Sequence, residues 1–390
     1  MTSDTHTTVA FDPLDQSLRF ADFPHYDRIR AAGGIAWSEA HGGFWAVADH
    51  DLVRAIAADD RRFTSGEGVR IPPNGTPPTF ALEFDRPRHT VHRRMLTDAV
   101  GPRITPTLEA QVRAHTRRLL DEAGERHGDR LDLGQDYAFR LSLDVMFDLI
   151  GAPHELKSEV EQLAEALFLY RTPMPDGSDP AVRLQEILDE MVASRLAEPR
   201  DDWLGRVVSY RDGPDVRLSE TEIHGAIVAL LVGGHHSTAR ATACLLAHVV
   251  SDPALQARLR AEPGLVAVAA EETVRLHTPL RWFARTARED VQVGGTTVRA
   301  GERVMLLYAG ANRDPARFAE PGSFRLDRPK ANGHLAFGWG VHRCVGMPLA
   351  QLEIRVAVEE LLARAERVSL DGEITWTSST EPRHIPTRLG

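Results

Sequence analysis

The run Phe337-Gly338-Trp339-Gly340-Val341-His342-Arg343-Cys344-Val345-Gly346 packs three glycines and one of the chain's two cysteines into ten residues. Glycine permits sharp turns and lets a backbone approach a large, flat partner closely. Met347-Pro348-Leu349-Ala350-Gln351-Leu352-Glu353 then opens a helical pattern, so Cys344 stands at a helix start. Unpaired N–H groups and the helix dipole favour a thiolate there. A thiolate on a tight loop is what an iron centre takes as an axial ligand. Taken singly, Cys344 also fits a small buried thiol beside a turn.

The complete pattern, Phe-Gly-x-Gly-x-His-x-Cys-x-Gly, resembles the haem-ligand loop of the cytochrome P450 family. That resemblance implies a mainly α fold with small β-sheets, a haem-thiolate centre with haem b (iron protoporphyrin IX), and Cys344 as the iron ligand. It also implies that His342 anchors a haem propionate, that Phe337 packs near the ligand sulfur, and that Gly346 lies against the haem.

Composition is compatible with this reading. The chain has 390 residues, 42% hydrophobic and 26% charged, which is ordinary for a globular protein. A net charge of -10 argues against general nucleic-acid binding. Cys244 and Cys344 cannot build a disulfide framework and suit a reducing cytoplasm. No secretory signal or apolar membrane span is visible in the sequence. The expectation is a soluble, cytoplasmic, monomeric enzyme of bacterial type that binds neither nucleic acid nor membrane.

In chain order, residues 1–18 read as a loose tail and 19–390 as a single catalytic domain. Gly43–Ala48 suggests a short strand, and Asp49-His50-Asp51 a cap for the following helix. The segment from Phe84 to Arg94 reads alone as a turn and a basic helix start. It resembles the family segment in which a His and an Arg four residues later bind propionates; the matching residues are His89 and Arg93, with His92 or Arg94 as substitutes. Residues i and i+4 share a helix face, and paired cationic donors suit a carboxylate. Helical periodicity dominates from 105 to 205, broken at Arg171–Pro180, where the family has a mobile connection over its pocket. Phe168, Leu169, Tyr170 and Met174 are candidate lid or core residues.

Ser219-Glu220-Thr221-Glu222 is a capping box opening a helix that runs to Asp252-Pro253. From Ile223 to Ala239 it carries no Asp, Glu, Lys or Arg, so it crosses the interior. Gly233-Gly234-His235-His236-Ser237-Thr238 interrupts its middle. Two glycines cost about 1 kcal/mol each relative to alanine, so something approaches this backbone closely. The position matches the family's central helix, where a kink beside small residues accommodates dioxygen. The family usually has an acid followed by Thr there; this chain has His236 and Ser237, with Thr238 next. These three are the expected proton-delivery residues, with Gly233 and Gly234 beside the pocket. His235 reads as a core histidine.

Glu272 and Arg275 share a helix face and resemble the family's Glu-x-x-Arg motif, with Arg328 as the expected third partner of a structural lock beneath the loop. Arg285, on a strand after that helix, matches a family arginine that binds a propionate. Arg281 and Trp282 fall where that strand lines the pocket, and Arg281 there would ask for an anionic substrate group.

The resemblance thus implies a monooxygenase that activates O2 to hydroxylate or dealkylate a small organic substrate. An aromatic acid or a natural-product intermediate of secondary metabolism, including a peptide or carrier-bound amino acid, fits. No flavin or iron–sulfur domain is recognisable, so electrons are expected from a ferredoxin and its NAD(P)H-dependent reductase, docking near Arg93, Arg94 and Arg343. Two alternatives remain: an oxidase performing oxidative coupling or peroxide-driven oxidation, and a non-catalytic haem carrier or sensor with His235 or His236 on the iron.

Overall fold

The computed structural model describes residues 7–73, 77–169, 174, 176–212, 216–328 and 333–390. Tyr170 and Arg171–Pro173 of the expected lid fall outside the described residues, as do the side chains of Phe168 and Leu169, whereas Met174 packs partly buried against the main core. The principal helices are α1 (His50–Ala58), α2 (Arg88–Val100), α3 (Thr105–His127) and α4 (Arg140–Ile150). They continue with α5 (Pro180–Ala197), α6 (Glu220–Ser251), α7 (Leu265–His277) and α8 (Met347–Arg364).

Local chemistry sets the ends that matter. The Asp49 carboxylate accepts from the Leu52 N–H to start α1. At α6 the Ser219 hydroxyl accepts from the Glu222 N–H while the Glu222 carboxylate accepts from the Ser219 N–H, so the capping box forms in full. Helix α6 then crosses the interior and packs on α4, α7 and α8. Ile227, Leu230, Leu245 and Leu246 join Val145, Met146, Ile354 and Val358 in the main core. Each such side chain contributes roughly 1.5–3 kcal/mol by leaving water.

Among the strands are β1 (Ile35–Ser38), β2 (Phe44–Val47), β3 (Phe63–Thr64), β4 (Trp282–Ala287), β5 (Val291–Val293), β6 (Thr296–Val298) and β7 (Arg303–Leu307). Five form one sheet in the order β1-β2-β7-β4-β3, with Val304 opposite Arg285 across the β7–β4 pair. Strands β5 and β6 are a hairpin turned by Gly294 and Gly295, both at positive φ.

The expectation of a loose tail to residue 18 does not hold for its described part. Thr8 bridges to Trp37, the Val9 N–H donates to the Trp37 carbonyl, and Phe11 and Leu18 are buried. An apolar pair with a sheet edge to pair against is enough to hold a short terminal segment. Among the described residues, no helix is long and apolar enough to cross a membrane.

Candidate functional site

The Cys344 loop is closed by its own backbone. The Cys344 N–H donates to the Phe337 carbonyl at 2.8 Å, and the Gly338 N–H to the Leu335 carbonyl at 2.9 Å. Gly338 and Gly340 have φ of 66° and 73°. A Cβ on Gly340 would also lie 2.3 Å from the Ala57 carbonyl oxygen of α1, so this position admits only glycine. Gly346 has φ −80° and serves as the N-cap of α8, and a Cβ there would lie 3.9 Å from Cys344 Sγ.

Cys344 is open to solvent-sized space although protein surrounds it. This enclosure pushes its thiol up, while the N–H groups of Gly346 and Met347 and the cations Arg93 and Arg343 pull the other way. The second thiol is a contrast: Cys244 is fully buried, donates to the Thr380 carbonyl at 3.4 Å, and is pushed far up by burial.

Beneath the loop lies a saturated ion cluster. Arg275 Nε donates to Glu272 Oε2 and Nη2 to Glu272 Oε1, both at 2.7 Å. Its remaining donors reach the carbonyls of Asn312 and Pro321 at 2.9 Å and of Ser323 at 3.2 Å. Arg328 Nε donates to Glu272 Oε1 at 2.8 Å. Sequence reasoning missed two neighbours that extend this cluster to the loop. Asn312 Oδ1 accepts from the Leu335 N–H at 2.6 Å, and Glu271 pairs with His334 at 2.9 Å. The adjacent Glu271-Glu272 pair was the available signal.

On α6 the glycines part company. Gly233 is exposed and a Cβ there would meet nothing within 4 Å, although the helix crosses the interior. Ala229, Val232 and Ser237 flank it and are only partly buried, so this face borders open space. Ser237 Oγ donates to the Gly233 carbonyl at 3.4 Å, a loose bond. Gly234 is not on this face; a Cβ there would lie 2.2 Å from Met146 Sδ of α4, so its smallness serves helix packing. Thr238, about 100° further round the helix from Ser237, is buried and likewise absent from the open face.

His235 and His236 are 1% and 4% exposed, and none of their four ring nitrogens has a hydrogen-bond partner. His235 lies about 200° round from Gly233, against Phe139 and Glu161, so it does not present a ligand to the open face. Burial, with His235, Arg240 and Arg383 nearby, lowers His236 to about 2 and keeps it neutral.

A second group of basic side chains has no anion. The rings of His89 and His342 lie 4.4 Å apart. Burial, then neighbouring cations, lowers His342 to about 3 and His89 to about 4; Arg285 and Arg93 are among those cations. Arg93 Nη1 donates to the Arg343 carbonyl, and the buried Arg285 donates to the Ala284 carbonyl at 2.8 Å beside Tyr308. Among the described residues, none of the four pairs with a carboxylate. Such a group suits an anionic guest. His92 is no substitute for His89: its Nε2 meets Glu222 at 2.8 Å and its Nδ1 accepts from the Ala81 N–H at 3.3 Å. Arg94 is exposed.

Two pocket expectations fail. Arg281 pairs with the buried Asp22 at 3.0 Å and donates to the carbonyls of Leu18 at 3.0 Å and Arg19 at 2.9 Å and to Ser379 Oγ at 2.5 Å. Its guanidinium is committed to the N-terminal segment and is not offered to a substrate. Trp282, on the face of β4 opposite to Arg285, packs against the apolar cluster that includes Phe11, Leu18 and Tyr26.

An open thiol above helix-start N–H groups, a bare helix face and an anion-free basic group together fit a haem with its two carboxylates. The comparisons agree. The family model described as Cytochrome P450 matches residues 181–373. The cytochrome P450 monooxygenase PikC of Streptomyces venezuelae is 31% identical over 372 residues, covering 93% of this chain and 89% of that protein. The nocardicin C N-oxygenase of Nocardia uniformis subsp. tsuyamanensis is 34% identical, covering 89% and 86%. The crystal structure of HinD with NMFT and NO superposes with a TM-score of 0.88 at 31% identity, covering 99% of this chain and 100% of that one.

Proposed function

The chain belongs to the cytochrome P450 family and is a monooxygenase of that family with a haem-iron cofactor, and from this premise we propose that it oxygenates a natural-product intermediate at a haem b held by Cys344. The observation that carries this reading is the open Cys344 thiol on a tight loop, where the N–H groups of Gly346 and Met347 and the cations Arg93 and Arg343 oppose the upward push of burial. When bound, the haem supplies an iron centre that activates dioxygen. The propionates would be held by His89, Arg93, Arg285 and His342, whose basic groups lack a carboxylate. Phe337 would pack beside the sulfur. The open face around Gly233 would border the distal space, with Ser237 placed to hold or pass a proton, since its bond to the Gly233 carbonyl is easily released.

Electrons would come from a ferredoxin and its NAD(P)H-dependent reductase. Exposed Arg94 and Arg343, the latter 5.4 Å from the Trp339 ring, supply a basic docking surface on the Cys344 side. The natural-product reading is favoured over an aromatic acid because the guanidinium expected to receive an acid is already satisfied by Asp22. A relative named for nocardicin C points the same way.

The test is a spin-state titration of the ferric protein with matched aromatic acids, their neutral amides and natural-product intermediates, followed by turnover under labelled dioxygen. The expected result is a shift with neutral or larger ligands, unchanged affinity in Arg281→Ala, and label in the product. A response confined to acids and abolished in Arg281→Ala would overturn the substrate reading. Turnover without label would favour coupling chemistry instead.

A further inference from the structure

A cavity of about 570 Å³ lies away from the Cys344 loop, lined among others by His115, Arg118, Arg140, Lys157, Ser158 and Glu161. Glu161 is the member that reaches inward. Its Oε1 lies 3.9 Å from Nε2 of His235, and contact with His235 is the largest influence holding its carboxyl low. The His235 and His236 rings are 4.4 Å apart, tilted by 59°. Successive residues of an α-helix are rotated by about 100°. His235, His236 and Ser237 therefore wrap α6 from the face toward Glu161 round to the open face at Gly233. Buried imidazole nitrogens are nearly always hydrogen-bonded, and four orphans on two adjacent rings need an explanation. Waters that bridge 3.9 Å gaps and rings that exchange protons provide one.

We propose that Glu161, His235 and His236 form a proton-supply line from this cavity to Ser237, in place of the acid that the helix lacks. The proposal rests on the monooxygenase reading above. The Glu161 carboxylate takes a proton from water in the cavity and passes it to one nitrogen of His235, which releases its other proton toward His236. His236 does the same toward Ser237 Oγ, whose own proton leaves to the open face. One proton enters and one leaves, and the line returns to neutrality when the ring tautomers reset. Two cations face the line, each with a carboxylate partner, and both help to hold His236 neutral. Arg240 pairs with the buried Glu381 at 2.7 Å, and Arg383 pairs with Glu165 at 3.1 Å while stacking 4.5 Å from Phe139. Burial pushes the carboxyl of Glu353 on α8 well up, while Ser142 pulls the other way.

Glu161 and His235 are positioning residues acting through His236 and Ser237, so the test must separate relay from scaffold. In the haem-loaded enzyme, Glu161→Ala and His235→Leu should each lower the ratio of product to released peroxide at least fivefold, and the double variant should do no worse than either. Formate, small enough to enter the cavity, should restore Glu161→Ala at least threefold but leave His236→Leu unchanged. Ser158→Ala on the cavity wall is the control. A readout independent of turnover is the 15N NMR of the histidines in the diamagnetic ferrous carbonyl form, where Glu161→Gln should shift the His235 nitrogens. Unchanged coupling in Glu161→Ala, or an unmoved His235 signal, overturns the supply line and leaves the monooxygenase reading intact. Loss of the thiolate-type carbonyl absorption in the wild-type protein would instead sink the monooxygenase reading itself, and the line with it.

Discussion

Two of the buried polar clusters among the described residues are opposites. Around Glu272, Arg275 and Arg328 both carboxylate oxygens and the Arg275 donors have named partners at 2.7–3.2 Å. Around His235 and His236 no ring nitrogen has one. A saturated buried network rigidifies and fixes one geometry, here that of the segment carrying Cys344. An unsaturated one costs stability and persists where protons or water must pass. On the proposal above, the contrast separates what holds the site from what serves it.

The first way to break the comparison is Arg275→Ala, which leaves the Glu272 carboxylate buried without its main partner. The expected cost is about 3–5 kcal/mol in chemical denaturation, together with loss of haem retention. A loss under 1 kcal/mol would mean that the cluster holds nothing. Gly340→Ala probes the same support from the other side of the loop. A positive φ and the approach to the Ala57 carbonyl should cost about 1–3 kcal/mol, and the haem absorption should broaden as the loop shifts.

On the unsaturated side the sign reverses. His236→Leu removes two orphan nitrogens, so stability at pH 7 should be equal or higher by about 1 kcal/mol, while coupling falls. Its pH dependence sharpens this. The folded ring titrates near 2 and the unfolded one near 6.5, so between those values only the unfolded chain binds this proton. Wild-type stability should therefore drop more steeply than that of His236→Leu as pH falls from 6.5. Parallel slopes in denaturation from pH 7 to pH 4 would show that the ring is not held neutral.

What the sequence revealed follows the same division. The Cys344 loop, the Glu272–Arg275 spacing and the Ser219–Glu222 cap are local patterns, and local geometry reproduces them. Arg281 was misread because the residue that claims it, Asp22, lies near the other end of the chain. Gly234 was misread because its neighbour Met146 belongs to another helix. Trp282 was misread because a strand's faces can be counted but not assigned before the N-terminal cluster is in place. The Glu161 approach to His235 carried no sequence signal, since Glu161 belongs to no motif and the two elements meet only on folding.

The central claim is that Cys344, and not the other thiol, holds the iron. The most direct measurement is the absorption of the reduced carbonyl complex of the wild-type protein beside Cys344→Ser and Cys244→Ser. The account predicts the long-wavelength Soret band of thiolate ligation in the wild type and in Cys244→Ser, and its loss in Cys344→Ser. Persistence of that band in Cys344→Ser, or its loss in Cys244→Ser, would contradict it.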